Sequence, residues 1–246
     1  MNPVIDTLIN HRSDRSYLDK AVPDDILDNI ILAAYRAPTS VHSQQVSVIV
    51  TRDKATRAKI AELAGGQPWI AQAPVFITFV LDMHKTREAM NLIDEQHIAH
   101  ESIESIVSGS TDVGIALASA MAAAHAQGLG VVPIGGMRRS PAEFIELFDL
   151  PPLTFPLVGL ALGYVDRPAD LKPRLPMSTF RHEEKYQTEG MVEKIGEFNQ
   201  QLEQHWRDIK RDGGENWSQT VANYYKNIYF PDVLPALLKQ GFGKDK

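Results

Sequence analysis

Residues 75–81 read Val-Phe-Ile-Thr-Phe-Val-Leu, a nearly continuous apolar run. A run of this length, rich in β-branched and aromatic residues, is typical of a strand that is buried on both faces. Further strands are predicted at 46–51, 130–134 and 157–164. Helices are predicted between and around the strands, at 3–11, 54–63, 86–108 and 141–147, and from Pro23 up to the stop at Pro38. Helices that alternate with buried strands predict a layered α/β or α+β domain.

A further helix is predicted from a cap at Ser110-Thr111-Asp112 to Gln127, with Gly128 as the stop. It is alanine-rich and apolar nearly all round, which predicts burial on every side, in a large core or at a subunit interface. Its longest apolar stretch, 113–126, is too short to span a bilayer.

The character of the sequence changes at about Pro168. Residues 168–180 are Pro-rich and extended, and helices are predicted at 189–212 and 216–229. Their many aromatic residues predict an arm that covers a partner subunit. We therefore expect two segments of one domain, an α+β core at 1–165 and a C-terminal extension at 166–246.

Composition excludes several classes of protein. The chain has 246 residues, a formal net charge of −6 and no cysteine. The absence of cysteine excludes disulfides, thiolate nucleophiles, iron–sulfur clusters and Cys-based zinc sites. An acidic chain without a long basic run is a poor candidate for nucleic-acid binding. The first residues lack the pattern of a signal peptide, so we expect a cytoplasmic protein without a membrane partner.

Two basic segments could hold a phosphate. The first is His11-Arg12-Ser13-Asp14-Arg15, where cations and a hydroxyl lie within five residues. The second is Lys172-Pro173-Arg174, where the proline favours an extended backbone and side chains two apart face one side. The alternatives remain open at this point, because a basic helix end and a solvated loop have the same composition.

Three loops could approach a flat ligand. Ile134-Gly135-Gly136 follows a predicted strand, and two glycines let a backbone pass close to a ring. Gly65-Gly66-Gln67 and Pro38-Thr39-Ser40 add polar groups at loop positions. Each of them, taken alone, is equally consistent with a simple turn.

In this order and spacing, the five motifs resemble the FMN-dependent nitroreductase superfamily. The nearest resemblance is to its branch of oxygen-insensitive NADPH nitroreductases and NADPH-flavin oxidoreductases. The most specific element is Asp170-Leu-Lys-Pro-Arg-Leu-Pro, and the resemblance extends over essentially the whole chain.

The resemblance implies an α+β homodimer with a central mixed β-sheet flanked by helices. It implies a C-terminal helical arm that wraps the partner, and FMN bound at the dimer interface. Transferred to this sequence, the phosphate and pyrimidine edge of FMN would contact His11, Arg12, Ser13 and Arg15. Lys172 and Arg174 would complete the phosphate site. The ribityl chain and ring would contact Thr39, Ser40 and Gln67. Ile134, Gly135 and Gly136 would pass the flavin with their backbone.

The cosubstrate implied by this branch is NADPH, gripped by arginines in a late loop. Here the late loop is basic but out of the matching register, so NADH remains an alternative. The candidates for the extra phosphate are Arg207, Lys210 and Arg211, and a solvated helix end is equally consistent with them.

The flavin carries the reaction in such enzymes, so no catalytic side chain is expected. We expect a two-electron ping-pong cycle, in which NAD(P)H and then a nitroaromatic, a quinone or a free flavin occupy one pocket. Arg15 would place positive charge at the pyrimidine edge. Two alternatives remain: a flavin reductase that supplies reduced free FMN, and a non-catalytic flavin-binding redox sensor.

Other classes of site are less well supported. His97, His100, Glu101 and Glu104 would share one helical face, but a solvated polar face explains them better than a metal site, and no metal is expected. Gly128-Leu-Gly130 follows a helix and precedes a strand, the reverse of a dinucleotide-binding fingerprint. The sequence contains no Gly-x-Ser-x-Gly elbow of a serine hydrolase.

Overall fold

The computed structural model describes residues 2–243. The chain divides into two compact units. Of the described residues, those up to Ala169 and those from Phe230 onward form the first unit, and Asp170–Tyr229 form the second.

The first unit is built on a four-stranded sheet with the strand order β1-β2-β4-β3. Its strands are β1 (Val46–Thr51), β2 (Val75–Asp82), β3 (Gly130–Ile134) and β4 (Thr154–Gly163). All eight residues of β2 are buried, as its apolar sequence predicts for a central strand.

The sheet differs from the mixed sheet that we expected, because every pairing between the described strands is antiparallel. β4 lies between β2 and β3 and runs opposite to both. β2 and β3 therefore share a direction without being neighbours. The alternation of helices and strands along the sequence cannot show this insertion. The α+β class is confirmed.

Helices cover both faces of the sheet. Those of the first unit are α1 (Pro3–Ile9), α2 (Asp24–Tyr35), α3 (Lys54–Leu63), α4 (Pro68–Gln72), α5 (His84–Asn91), α6 (Ile103–Ala126) and α7 (Pro141–Leu147). On one face α2 and α6 pack against β2, with Ile30, Val113 and Phe79 in the cluster. On the other face Ile60 of α3 and Phe144 of α7 pack around Phe76.

The helix predicted at 86–108 is wrong in its middle. α5 ends at Asn91, Asp94 adopts a positive φ of 55°, and α6 begins at Ile103. Ser102 caps α6 through the hydrogen bond that its side chain accepts from the Glu104 N–H. The predicted cap at 110–112 therefore lies inside a helix, because an earlier cap starts that helix two turns sooner.

α6 is also longer than predicted. At 24 residues it is long and apolar enough to cross a membrane by length and composition. Here Val113, Ala116 and Ala120 pack into the core beneath the sheet, while Ile103 is 70% and Val107 54% exposed. Within the described chain only one side of α6 is covered.

The second unit contains the helices α8 (Met191–Asp208) and α9 (Trp217–Tyr225). Phe198, Leu202 and Trp206 of α8 pack with Trp217 of α9. A capping box at Asn216 and Gln219 starts α9. The two helices predicted here are confirmed with shorter bounds.

Two of the described helices, α4 and α10, escaped sequence analysis. α10 (Val233–Lys239) belongs to the first unit, where Ala236 and Leu237 cluster with Leu81 and Phe155. Its seven residues are too few to show a helical period.

Candidate functional site

The basic segment 11–15 follows α1 and lies against the start of β3. The Asp14 N–H donates to the Val131 carbonyl at 3.0 Å, and the buried Asp14 carboxylate accepts from the Ala169 N–H at 3.1 Å. Arg12 Nη1 donates to the Ala169 carbonyl, also at 3.1 Å. Hydrogen bonds that join Arg12 and Asp14 to the backbone of Val131 and Ala169 therefore hold the segment in place.

Arg15 connects this segment, through Trp69, to the glycine loop at 134–136. Its guanidinium carbon lies 5.4 Å from the centroid of the Trp69 ring, and its Nη1 donates to the Ser13 carbonyl at 3.2 Å. Trp69 belongs to α4, whose N-cap is Gln67. The Gln67 amide donates to the Ala64 carbonyl at 2.8 Å.

Gly136 completes this row of contacts. A Cβ at this position would lie 2.5 Å from both the Ala64 oxygen and Gln67 Nε2, so the close approach requires glycine. A chain of contacts thus connects Ser13 and Arg15, through Trp69 and the start of α4, to Gln67 and Gly136. The other two residues of the loop contribute differently, since Gly135 begins a short 3-10 turn and the Ile134 side chain is 1% exposed in the core. Ile134 can offer only its backbone to a ligand.

Thr39 and Ser40 lie in a loop that Asp112 of α6 holds. The Ser40 N–H lies 3.1 Å from each Asp112 carboxylate oxygen, and the Gln45 amide donates to Asp112 Oδ2 at 2.8 Å. Thr39 Oγ1 accepts from the Gln44 N–H at 3.0 Å. The buried carboxylate is therefore paired with the loop.

The same loop is strained. Val41, His42 and Gln44 all have positive φ, at 46°, 57° and 52°. The loop borders a cavity of about 410 Å³ that Thr39 and Lys85 also line. Strain of this kind at non-glycine residues concentrates at functional sites.

The structure does not bring Thr39 and Ser40 to the basic segment. His11 contacts His125 near the C-terminal end of α6, whereas Ser40 is held by Asp112 of the same helix. At a rise of about 1.5 Å per residue, Asp112 and His125 lie about 20 Å apart along the helix. A single chain therefore divides these predicted ligands between two places.

Replacing Asp112 with alanine is expected to lower the free energy of unfolding by about 1–3 kcal/mol, because the Ser40 N–H and the Gln45 amide lose their acceptor. Urea unfolding measures the loss. Asp112→Asn keeps one acceptor oxygen and should lose less. A stability equal to wild type in Asp112→Ala would contradict the role of this carboxylate in holding the loop.

The second unit contains five of the predicted ligand residues. Two are cofactor candidates, Lys172 and Arg174, and three are cosubstrate candidates, Arg207, Lys210 and Arg211. Lys172 Nζ lies 5.8 Å and the Arg211 guanidinium carbon 4.5 Å from the Trp206 ring centroid. These residues line a cavity of about 1080 Å³ with Arg174. Arg174 Nη1 also donates to the Lys172 carbonyl at 3.2 Å.

The other two cosubstrate candidates do not line this large cavity. Arg207 donates to Gln204 Oε1 at 2.8 Å, and Lys210 follows the end of α8 with a positive φ of 55°. Both line a shallower cavity beside Trp206 and Arg211.

Comparison with known proteins decides the family. Residues 8–164 match the model of the nitroreductase family, and residues 172–245 match the model of the nitroreductase family C-terminal domain. The chain belongs to the nitroreductase family.

The similarity to known proteins extends over the full length of this chain, or nearly so. It is 45% identical over 100% of both chains to a Bacillus subtilis protein named FMN reductase [NAD(P)H]. It is 33% identical to the oxygen-insensitive NADPH nitroreductase of Salmonella typhimurium, over 98% of this chain and 99% of the relative. The solved structure of B. megaterium NfrA2 superposes with a TM-score of 0.97, at 43% identity and 100% coverage of both chains. The resemblance inferred from the motifs is confirmed.

Three residues of this nitroreductase escaped sequence analysis. Asp112 was interpreted as a helix cap, although a carboxylate inside an apolar helix signals a buried partner. His125 lies in the apolar stretch 113–126 and was not singled out as a functional residue, because its contact with His11 joins residues far apart in sequence. Trp69 gave no signal, yet within the described chain its buried Nε1 has no hydrogen-bond partner.

The metal alternative finds no support in this nitroreductase. Residues 92–98 lie outside any helix, so the four candidate ligands do not share a helical face. Among residues 2–243, no three His, Asp or Glu side chains are grouped to hold a metal ion.

Proposed function

We propose that this chain is an FMN-dependent oxidoreductase that uses NADPH, or NADH, to reduce nitroaromatics, quinones or free flavins. The names of its full-length relatives, an NAD(P)H-dependent FMN reductase and an NADPH nitroreductase, support this reaction class. The observation that carries the proposal is the chain of contacts from Ser13 and Arg15, through Trp69, to Gln67 and Gly136, which connects separate motifs of the sequence.

The donors in this chain fit FMN. A phosphate needs cations, a ribityl chain needs hydroxyl and amide partners, and a flavin ring needs a close backbone. The cations are His11, Arg12, Arg15, Lys172 and Arg174, and the polar groups are Ser13, Thr39, Ser40 and Gln67. In this proposal both basic segments serve one phosphate.

Bound FMN would supply hydride acceptance and donation, which no side chain of this protein can provide. The residues bind and orient it. Arg15, steadied by Trp69 and the Ser13 carbonyl, would place positive charge at the pyrimidine edge. The backbone at Gly135 and Gly136 would lie along the ring.

We propose that the protein works as a homodimer. All seven residues of α1 are described and none is buried, with Val4 64% and Leu8 55% exposed. The outer side of α6 is exposed as well. A partner on this surface would cover apolar groups. It could also bring its own Thr39 and Ser40 to the basic segment, which contacts a different part of α6 in one chain. The aromatic residues of α8 and α9 suit the arm that we expect to wrap the partner.

Arg211 is the cation best placed to select NADPH, because it lies beside Trp206 and Lys172 in the large cavity. Replacing Arg211 with alanine is expected to raise the KM for NADPH about tenfold, the equivalent of one lost charge-assisted contact. The KM for NADH, which lacks the extra phosphate, should change little and is the internal control. Equal changes for both would contradict the assignment. Arg207 and Lys210 would act more weakly.

The function is tested on the purified protein. We expect a yellow dimer that releases FMN on denaturation and oxidises NAD(P)H faster when a nitroaromatic, a quinone or FMN is added. Parallel lines in initial-rate plots would indicate the ping-pong cycle. Turnover with FMN alone would favour the flavin reductase, and bound flavin without turnover would favour the redox sensor.

The location that we propose is the cytoplasm, without membrane or nucleic-acid partners. The packing of Val113, Ala116 and Ala120 of α6 into the core supports the proposal that this helix is not a membrane span. We also propose that the segments 1–165 and 166–246 act as one functional domain, because the proposed phosphate site draws on both.

A further inference from the structure

Two histidine rings meet at the C-terminal end of α6. His11 Nδ1 lies 3.1 Å from His125 Nε2, and the ring centroids are 5.3 Å apart with the planes at 72°. This is the distance of a hydrogen bond. Such a bond between two imidazoles holds one proton, so one ring donates and the other accepts.

The surroundings of His125 decide which ring accepts. The backbone of Leu129 raises the pKa of His125, as a carbonyl acceptor beside the ring does. Because Nε2 faces His11, only Nδ1 is left to meet a carbonyl on the other side of the ring, and Nδ1 then carries the proton. In the neutral ring Nε2 is then an acceptor.

Burial keeps His125 neutral. It lowers the pKa of His125, against the opposing effects of the Asp14 carboxylate and the Leu129 backbone. Asp14 is itself buried and fixed by the Ala169 N–H. The groups that face His125 are thus His11, Asp14 and the Leu129 backbone.

We propose that His125 is a positioning residue for the FMN site, because it accepts a hydrogen bond from His11 Nδ1 and so fixes the orientation and tautomer of that ring. This inference rests on the proposed function, in which His11 contacts the cofactor. With Nδ1 as the donor, His11 Nε2 is an acceptor in the neutral ring and a donor in the charged ring. A charged His11 donates a stronger, charge-assisted bond to His125. His125 therefore favours the form of His11 that binds an anion.

The chain offers a matched control. His97 and His100 form a second pair, with their Nδ1 atoms 3.0 Å apart and the rings stacked. This pair lies in the segment between α5 and α6, outside the proposed site. Replacing His97 removes a histidine–histidine contact of the same kind without touching segment 11–15.

The test compares His125→Leu, His125→Gln and His97→Leu with wild type, each with and without FMN. Nitrogen-15 NMR of the flavin-free full chain is expected to show protonated Nδ1 at His11 in wild type. In His125→Leu the neutral tautomer should move toward Nε2–H, and the pH midpoint of His11 should fall. His125→Gln should restore part of both, because its amide oxygen can accept.

FMN affinity provides the second measurement. We expect the Kd to rise about tenfold in His125→Leu, to recover in part in His125→Gln and to stay unchanged in His97→Leu, with the thermal midpoints alongside. An unchanged tautomer and midpoint of His11 in His125→Leu would overturn the inference, as would an equal loss of affinity in His97→Leu. Failure of wild type to bind FMN would instead overturn the proposed function, while the NMR result would still decide the contact.

Discussion

Replacing Arg15 with alanine is expected to weaken FMN binding by about 10- to 150-fold, the equivalent of roughly 1.5–3 kcal/mol for a hydrogen bond to a charged group. Arg15 is exposed, yet its guanidinium is held over Trp69 and bonded to the Ser13 carbonyl. A cation held in this way loses little conformational freedom when it grips a ligand. Titration of the flavin-free protein with FMN, followed by flavin fluorescence, measures the change.

The loss of FMN affinity in Arg15→Ala should reflect a lost contact with FMN and not a loss of folding stability. Arg15 is not a core residue, and an exposed cation–π contact contributes only about 0.5–1 kcal/mol. Arg181→Ala is the matched control, since Arg181 is 73% exposed and pairs with Glu183 on the surface of the second unit. FMN affinity that is equal in Arg15→Ala and Arg181→Ala would remove Arg15 from the site.

The second large effect is on stability. Gly159→Ala is expected to lower the free energy of unfolding by about 1–3 kcal/mol or more. Gly159 lies in β4 beside β2, and a Cβ there would overlap the Phe76 ring and lie 2.9 Å from Met137 Sδ. Phe76 and Met137 are both 0% exposed, so neither can move aside into solvent. Met137 lies in the turn that follows Gly136, so the strain should also reach the glycine loop.

Urea unfolding of the flavin-free protein measures this loss without a contribution from bound cofactor. Gly196→Ala in α8 is the control, because among the described residues a Cβ at that position meets no atom within 4 Å beyond its chain neighbours and the backbone of its own helix. It should stabilise its helix by about 0.5–1 kcal/mol. If Gly159→Ala unfolded at the same urea concentration as wild type, the packing between β4 and Phe76 would be looser than the structure shows.

The sequence by itself determined the elements that carry strong local signals. The strand at 75–81 and the helix at 54–63 were predicted to within one residue at each end. The spacing of their apolar side chains shows both the type of element and its buried face. The five motifs, taken together in their order and spacing, were enough to reach the family.

Local signals failed where two of them competed. Ser110-Thr111-Asp112 has the composition of a helix cap, but Ser102 starts α6 earlier and the segment lies inside the helix. The use of Asp112 depends on the Ser40 N–H and the Gln45 amide, which are distant in sequence. The sequence alone does not show which of two capping residues a helix will use, because either one can accept a hydrogen bond from the free N–H groups at the start of a helix.

Only the tertiary structure showed which strands and side chains are neighbours in space. Composition and motifs determined that the chain is an α+β nitroreductase with strands of known position and basic segments suited to a phosphate. Only the fold showed that β4 separates β2 from β3, that Trp69 joins Arg15 to the glycine loop, and that Thr39 lies far from His11 within one chain. The physical reason is that period and propensity act over a few residues, whereas strand pairing and side-chain contacts are decided by what the whole chain can bury together.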